Sequence, residues 1–302
     1  FLSLCSANLE EPTIGANSAT QADDYFETVL YTGNGSTQNV AVNFQPDFTW
    51  IKNRDAADAH QLFDSTRLAT NVLESDDTTV EVANDDTLTD FTPADESIGF
   101  SLGDDVTVNT GSESYVAWNW KAGGEPTADN SAGAGEIPTT GSVKIDGVNL
   151  GSALAGTTAA TRLTANTTAG FSIIKYAGNS ASKTVAHGLN SAPTFVIAKS
   201  LTDAENWVVF HNSISTKYIY LNLTNAGDTA NADERFGNST SVVVPNDTVV
   251  TMGASNSDIN ENGDNYIMYA FHDVEGYSKF GSFIGNGVTD GTFVYTGFRP
   301  AW

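Results

Sequence analysis

The sequence predicts an all-β protein made of tandem β-sandwich repeats with a jelly-roll-like layout, and three observations lead to this fold class. Short runs rich in β-branched and aromatic residues recur along the whole chain, bounded by Gly, Asn, Asp and Thr. No stretch of the sequence keeps a 3.6-residue apolar period over three turns with a cap at each end. Sequence landmarks return in the same order at nearly equal spacing. The clearest predicted strands are 28–31, 48–51, 115–120, 171–176, 195–198, 218–221 and 266–271.

The repeats are defined by a strand that ends on an aromatic residue, followed two positions later by Gly-Asn and then by a Pro that opens a second strand. Thirteen residues separate the Gly from the Pro in the first copy, and fifteen separate them in the other two. The landmark pairs are Gly33 and Pro46, Gly178 and Pro193, and Gly285 and Pro300. Gly and Asn are common in turns, but this alone does not explain landmarks in the same order at nearly equal spacing. We therefore interpret the three segments as copies of one domain.

These landmarks divide the chain into five parts. We predict an extended lead-in over 1–24, a first β-sandwich over 25–124 and a second over 170–275. Between the sandwiches, 125–169 is rich in Gly, Thr and Ala, which predicts a linker with short strands. Residues 276–302 match the start of a third copy, so we expect the chain to belong to a longer protein.

Composition excludes several classes of protein. The 302 residues include 13 Lys and Arg against 37 Asp and Glu, a formal charge of −24. Nucleic acids and anionic membranes attract cationic surfaces, so we expect neither as a partner. No apolar run approaches the roughly 20 residues that a membrane-spanning helix needs. The single Cys5 excludes an internal disulfide framework.

The sequence carries no recognisable catalytic motif. The four histidines lack metal-binding spacing, and neither a G-x-S-x-G elbow nor a phosphate-binding loop occurs. The paired acids at 76–77, 85–86 and 104–105 are better read as a solvated acidic face than as a glycosidase pair, because strand neighbours point to opposite faces. We therefore predict a protein without enzymatic activity and without a cofactor.

One string resembles the first half of a calcium-binding loop. Asp258, Asn260, Asn262 and Asp264 place oxygen-bearing side chains at alternate positions around a Gly turn. The twelfth position is Tyr269 where such a loop requires a bidentate Glu. An Asn/Gly β-turn is therefore the favoured interpretation, with calcium as the alternative.

The aromatic residues of several predicted strands could either pack in a core or form a contact surface. The bulky residues at 116, 118 and 120, and at 267, 269 and 271, share one parity, which favours a core face over a sugar-stacking platform. In 217–223 the aliphatic residues at 219, 221 and 223 predict the buried face. Tyr218, Tyr220 and Asn222 would then form an exposed strip for a neighbouring subunit or a sugar ring, unless another part of the chain covers them.

The chain resembles a repeated domain of unknown function found mainly in virion proteins of marine tailed phages. The resemblance rests on WIKNR at 50–54, HQLFDSTR at 60–67, GFSLG at 99–103, YVAWNWKAGG at 115–124, ANTTAGFSI at 165–173, HGL at 187–189, VEGYSKFG at 274–281 and FVYTGFRPAW at 293–302. Residues 4–14 are similar to the segment that follows a concanavalin- or SPRY-like domain in such proteins. The second copy departs from the pattern because it lacks a counterpart of Arg67.

This resemblance implies a virion structural protein, located in a tail fibre, a tail-associated protein or a capsid appendage, with a contribution to host attachment. The resemblance implies other virion proteins as partners and a host surface glycan as a ligand. It also implies a homo-oligomer, for which a trimer is the first model. A bacterial adhesin or layer protein and a polysaccharide depolymerase are the alternatives.

Overall fold

The computed structural model describes residues 12, 14–15, 19–92, 98–254 and 256–302. Most of the predicted lead-in therefore lies outside the described residues. In the described part of the chain, strands dominate and the two α-helices have four residues each, so the all-β prediction is confirmed. None of the described helices is long and apolar enough to cross a membrane.

The first unit contains β1 to β9. Its elements are β1 (Phe26–Thr32), β2 (Gln38–Ala41), β3 (Phe48–Asn53), β4 (Gln61–Asp64), β5 (Asn71–Glu74), β6 (Val82–Ala83), β7 (Leu88–Asp90), β8 (Gly99–Leu102), α1 (Val106–Asn109) and β9 (Ser114–Trp120). A six-stranded sheet has the order β1-β9-β3-β4-β5-β6, and a smaller sheet has the order β2-β8-β7. All strand pairs of this unit are antiparallel.

The second unit contains β10 to β19. Its elements are β10 (Val143–Ile145), β11 (Val148–Asn149), β12 (Arg162–Asn166), β13 (Phe171–Ala177), β14 (Lys183–Ala186), β15 (Phe195–Ser200), β16 (Val208–His211), β17 (Ile219–Tyr220), α2 (Ala232–Arg235), β18 (Val249–Met252) and β19 (Asn265–Phe271). An eight-stranded sheet has the order β11-β10-β12-β13-β19-β15-β16-β17, beside a β14-β18 pair. The run β13-β19-β15-β16-β17 has the same order as β1-β9-β3-β4-β5 in the first unit.

The segment predicted as a linker contributes three strands to the second unit. β12 pairs antiparallel with β13, and β10 pairs in parallel with β12. The Gly123 amide donates to Thr164 Oγ1 at 2.8 Å where the chain enters this sheet. A Cβ on Gly123 would lie 2.5 Å from the Ala165 carbonyl oxygen, so the close backbone approach requires glycine.

In the described residues the sheets stack in four layers with three apolar cores between them. One core lies between the small and large sheets of the first unit and another between those of the second. The central core joins the two large sheets face to face and is rich in aromatic side chains. Across it, the Phe48 and Tyr269 ring centroids are 4.7 Å apart, and those of Phe48 and Phe171 are 6.1 Å apart.

The two central strands, β9 and β19, are buried on both faces, which accounts for their nearly continuous apolar sequences. Tyr115 and Ala117 point into the core of the first sandwich, whereas Trp120 points into the central core. In β19, Ile267, Tyr269 and Phe271 also lie in the central core. The bulky residues of these strands therefore mark the contact between units, while the opposite face of each strand, with Ala117 in β9 and Met268 in β19, packs into the core of its own sandwich.

A buried asparagine ties two loops of the first unit together. Asn109 Oδ1 accepts the Asn34 amide at 2.9 Å, and its Nδ2 donates to the carbonyls of Ser36 and Gly103, both at 2.6 Å. The Asn109 side chain is fully buried. It satisfies backbone groups that would otherwise be left unpaired away from water.

Asn260 makes the equivalent bonds in the second unit. Its Oδ1 accepts the Asn179 amide at 3.2 Å, and its Nδ2 donates to the carbonyls of Ala181 at 2.8 Å and Gly253 at 2.5 Å. Asn260 is also fully buried. Two side chains far apart in sequence therefore organise the same loop geometry.

Each unit also has a stacked tyrosine pair next to this asparagine. The ring centroids of Tyr31 and Tyr115 are 5.1 Å apart, and those of Tyr176 and Tyr266 are 5.4 Å apart. Burial raises the pKa of all four phenols, so they stay neutral donors at physiological pH. The stacked rings and buried hydroxyl bonds together hold β1 against β9, and β13 against β19, in register.

Residues 276–302 contain no strand or helix, and many of their apolar side chains are exposed. Trp302 nevertheless contacts the first unit, with its ring centroid 6.0 Å from that of Trp50 and 5.3 Å from that of Trp120.

Candidate functional site

An open groove of about 340 Å³ lies between the two units. One wall comes from the first unit: Trp50 on β3, His60 just before β4, and Ser75 and Asp76 just after β5. The other wall is the chain that follows β17 in the second unit, 221–224. The groove therefore exists only because the two large sheets pack against each other.

The polar wall of the groove has a defined hydrogen-bond arrangement. The Trp50 indole Nε1 donates to His60 Nδ1 at 2.8 Å. Because indole is only a donor, Nδ1 accepts, and the neutral imidazole carries its proton on Nε2. The His60 amide donates to Asp76 Oδ1 at 3.0 Å. Burial lowers the pKa of His60 more than the nearby Asp76 raises it, and Lys52 lowers it further, so the ring is neutral at pH 7.

The opposite wall carries two apolar side chains, Leu221 and Leu223, beside Asn222 and Thr224. Leu221 and Leu223 are 37% and 41% exposed. Deeper between the units, a narrow apolar pocket continues past Trp50 toward Phe48, Trp120 and Phe280. The arrangement places apolar side chains next to a donor, an acceptor and the exposed Thr224.

Of the three predicted contact residues, only Asn222 lines this groove. Its Oδ1 accepts the Trp207 amide at 3.1 Å and its Nδ2 donates to Asn206 Oδ1 at 2.9 Å. These bonds fix the turn that carries Leu221 and Leu223 into the groove.

The two predicted tyrosines do not form an exposed strip, because other parts of the chain cover them, which was the alternative interpretation. Tyr218 is buried in the core of the second sandwich, and Tyr220 is half-buried. The Arg235 guanidinium lies 4.1 Å from the Tyr218 ring centroid, and its Nη2 donates to Tyr220 Oη at 2.9 Å. β17 has only two residues, so strict alternation does not extend to Leu221 and Leu223, and the planar cation attracts the rings inward.

The four predicted calcium ligands are placed differently from a cation loop. Asp258 is buried and forms an ion pair with Arg235. Asn260 binds backbone groups, as described above. Asn262 is exposed in a turn, and Asp264 Oδ1 accepts the Thr202 hydroxyl at 2.9 Å. In the described residues no group of three or more His, Cys, Asp or Glu side chains could hold a metal ion.

A buried ionic network at the contact between units was not predicted. Arg67 Nε donates to Asp64 Oδ2 at 2.5 Å, and the Tyr269 hydroxyl reaches the same oxygen from the second unit at 2.7 Å. Arg67 Nη1 lies 3.2 Å from Glu81 Oε2, and Nη2 donates to the Leu62 carbonyl at 3.0 Å. Burial lowers the pKa of Arg67, but Asp64, Tyr269 and Glu81 together raise it above its ordinary value. The only signal in the sequence was the DSTR string itself.

The comparison with protein families gives one match, to a domain of unknown function, DUF7483, over residues 21–302. The chain belongs to this family. The DUF7483 match includes both sandwiches, the strands between them and the segment after β19. Neither the curated proteins nor the solved structures contain a match to the chain.

Proposed function

We propose that this DUF7483 chain is a non-enzymatic structural protein of a bacteriophage particle, in a tail fibre, a tail-associated protein or a capsid appendage. In this proposal it lies on the virion surface, contacts other virion proteins and contributes to attachment to the host. The observation that supports it is the pair of sandwiches packed face to face, which share one order of five strands and make a four-layered body.

The duplication is supported by three equivalences between the units. They share the order of five strands, the stacked tyrosine pair and the buried asparagine that bridges two loops. We propose that 25–124 and 170–275 are tandem copies of one domain. Repetition of a module is a common way to build extended particles from short sequences.

The buried charged groups support a mechanical role. Asp47 is buried, and it accepts the Ser65 hydroxyl at 2.8 Å and the Ala122 amide at 2.7 Å. Burial raises the pKa of Asp47, and these bonds partly oppose that increase. Asp64 and Asp258 are likewise bound to arginines. These carboxylates hold elements together, which favours a scaffold over a depolymerase with paired acids in a cleft.

A surface role also suits the charge. A formal charge of −24 keeps the chain soluble at high local concentration and repels nucleic acid, so the partners we propose are proteins and glycans. We further propose a homo-oligomer, with a trimer as the first model, in which the exposed apolar side chains of 276–302 contact neighbouring copies.

Immunogold electron microscopy tests the proposal. Antibodies raised against the purified chain should label phage particles from the source culture at tails or capsid surfaces. Label on the envelope of uninfected bacteria would favour the adhesin or layer protein instead.

Two measurements on the purified chain complete the test. Reducing-end assays on host polysaccharide should show no cleavage, and cleavage that is lost on one carboxylate substitution would establish a depolymerase. Light scattering should give three times the chain mass, and a monomer would contradict the oligomer.

A further inference from the structure

We propose that the open groove between the units binds a neutral sugar ring of a glycan, with Trp50, Leu221 and Leu223 under its apolar face and His60 and Asp76 bonding its hydroxyls. This assignment deepens the attachment role, and it rests on that proposed function for its biological meaning.

The size and shape of the groove fit a small ligand. Its volume of about 340 Å³ lies at the lower end of the ~300–1,000 Å³ typical of small-molecule sites. It is open to solvent, as a site for one ring of a longer chain must be. Its walls come from two units packed through a shared core, so the opposing surfaces are held at a fixed distance.

The aromatic surface is held in place before any ligand binds. The Trp50 ring has edge contacts with Phe48, His60 and Trp118, at centroid distances of 6.4, 5.7 and 6.3 Å. Its Nε1 is bonded to His60, which fixes the rotation of the indole. A ligand therefore does not have to order this side chain, which reduces the entropic cost of binding.

The polar groups of the groove match the chemistry of sugar hydroxyls, which both donate and accept. His60 offers its Nε2–H, because Nδ1 is occupied by Trp50. Asp76 is exposed and uses Oδ1 for the His60 amide, which leaves the carboxylate with further acceptor capacity. Thr224 adds an exposed hydroxyl. Donors and acceptors stand beside an apolar face, the combination that one edge and one face of a sugar ring require.

Charge selects among sugars. The residues described as lining the groove include Asp76 but neither Lys nor Arg, and Asp77 follows directly. A uronic or sialic acid would bring a second carboxylate close to Asp76, and the lining of the groove contains no cation to balance it. The groove therefore favours neutral hexoses over acidic sugars.

The test is saturation-transfer difference NMR on the full chain with cellobiose, lactose, mannobiose and glucuronic acid as probes. We expect transfer to at least one neutral disaccharide, at a millimolar or tighter dissociation constant, and none to glucuronic acid. Replacing Asp76→Ala should weaken binding roughly tenfold, and Leu223→Ser should weaken it severalfold. Asp86→Asn, an exposed acid outside the groove, is the matched control and should bind as the wild type does.

Circular dichroism melting shows whether each variant is folded, and both groove substitutions are at exposed positions. No transfer to any neutral probe, equal binding by Asp76→Ala, or stronger binding of glucuronic acid would overturn the sugar site. These outcomes are independent of the immunogold result. Labelled particles without sugar binding would leave the virion role standing, and sugar binding without labelled particles would leave the site standing.

Discussion

The hydroxyl of Tyr269 should stabilise the contact between the two units, and Tyr269→Phe measures that contribution. The Tyr269 hydroxyl donates to Asp64 Oδ2 at 2.7 Å across 205 residues of sequence. Both side chains are buried. Burial and the Asp64 charge raise the pKa of Tyr269, so the phenol remains a donor at all ordinary pH values. The substitution removes one oxygen and keeps the ring in the central core.

The size of the effect follows from the partners. A hydrogen bond to a charged group contributes about 1.5–3 kcal/mol, and Asp64 keeps its bond to Arg67, so it is not left unpaired. We therefore expect Tyr269→Phe to lower the free energy of unfolding by about 2 kcal/mol. Tyr176→Phe is the matched control, since its buried hydroxyl donates to the neutral Ile259 carbonyl at 3.0 Å within one unit. Its loss should be about 1 kcal/mol.

Urea unfolding followed by tryptophan fluorescence and by far-UV circular dichroism gives both numbers. Trp120 and Trp207 report on the central core, and circular dichroism reports on the strands of both units. A change below about 0.5 kcal/mol for Tyr269→Phe would refute the reasoning, because a hydroxyl that faces water in separated units contributes almost nothing.

Three further predictions concern stability. Burial lowers the pKa of His187 from 6.5 to about 4, so as the pH falls the unfolded chain takes up the proton first. Urea unfolding should therefore show a loss of about 3 kcal/mol in the free energy of unfolding between pH 6.5 and 4, and His187→Gln should remove this loss. Asn109→Ala and Asn260→Ala should each lower the free energy of unfolding by about 3 kcal/mol in the same assay, because each leaves buried backbone groups unpaired. Losses that differ by more than about 2 kcal/mol would argue against tandem copies. A Cβ on Gly178 would lie 1.9 Å from the Glu261 carbonyl oxygen. Gly178→Ala should therefore lower the thermal midpoint by several degrees, which corresponds to a loss of at least about 1–3 kcal/mol. Gly151 has open space around it, so Gly151→Ala should leave the midpoint unchanged.

The sequence predicted the long central strands well and the edge of the second sheet poorly. The predicted runs 115–120 and 266–271 fall within β9 and β19 and miss one residue of each. Such strands are apolar on both faces, so their composition alone identifies them. The predicted strand 218–221 is observed as the two-residue β17, but its tyrosines are not exposed, because the contact with Arg235 decides which side of β17 is buried. Local alternation carries no information about such a cation.

The candidate groove illustrates the same limit. Asn222 was selected because it alternates with aliphatic residues in the sequence. In the structure its side chain instead stabilises the turn that places Leu221 and Leu223 opposite Trp50. In the sequence, His60 stood out only as one of four histidines and Asp76 only as half of an acidic pair with Asp77. The hydrogen bond between His60 and Asp76 depends on how β4 and β5 pair. Single residues could be identified from the sequence, whereas the groove required the packing of two sheets.

The parity of the bulky residues in β9 and β19 contains information about assembly. In an isolated sandwich, the outer face of a central strand meets water and should be polar. Here that face carries Trp118 and Trp120 in one unit and Tyr269 and Phe271 in the other. Each unit alone would expose a large aromatic surface, and each supplies the surface that covers the other. The pair, matched as a whole by the family model over 21–302, is therefore the smallest body in which every central strand is covered on both faces.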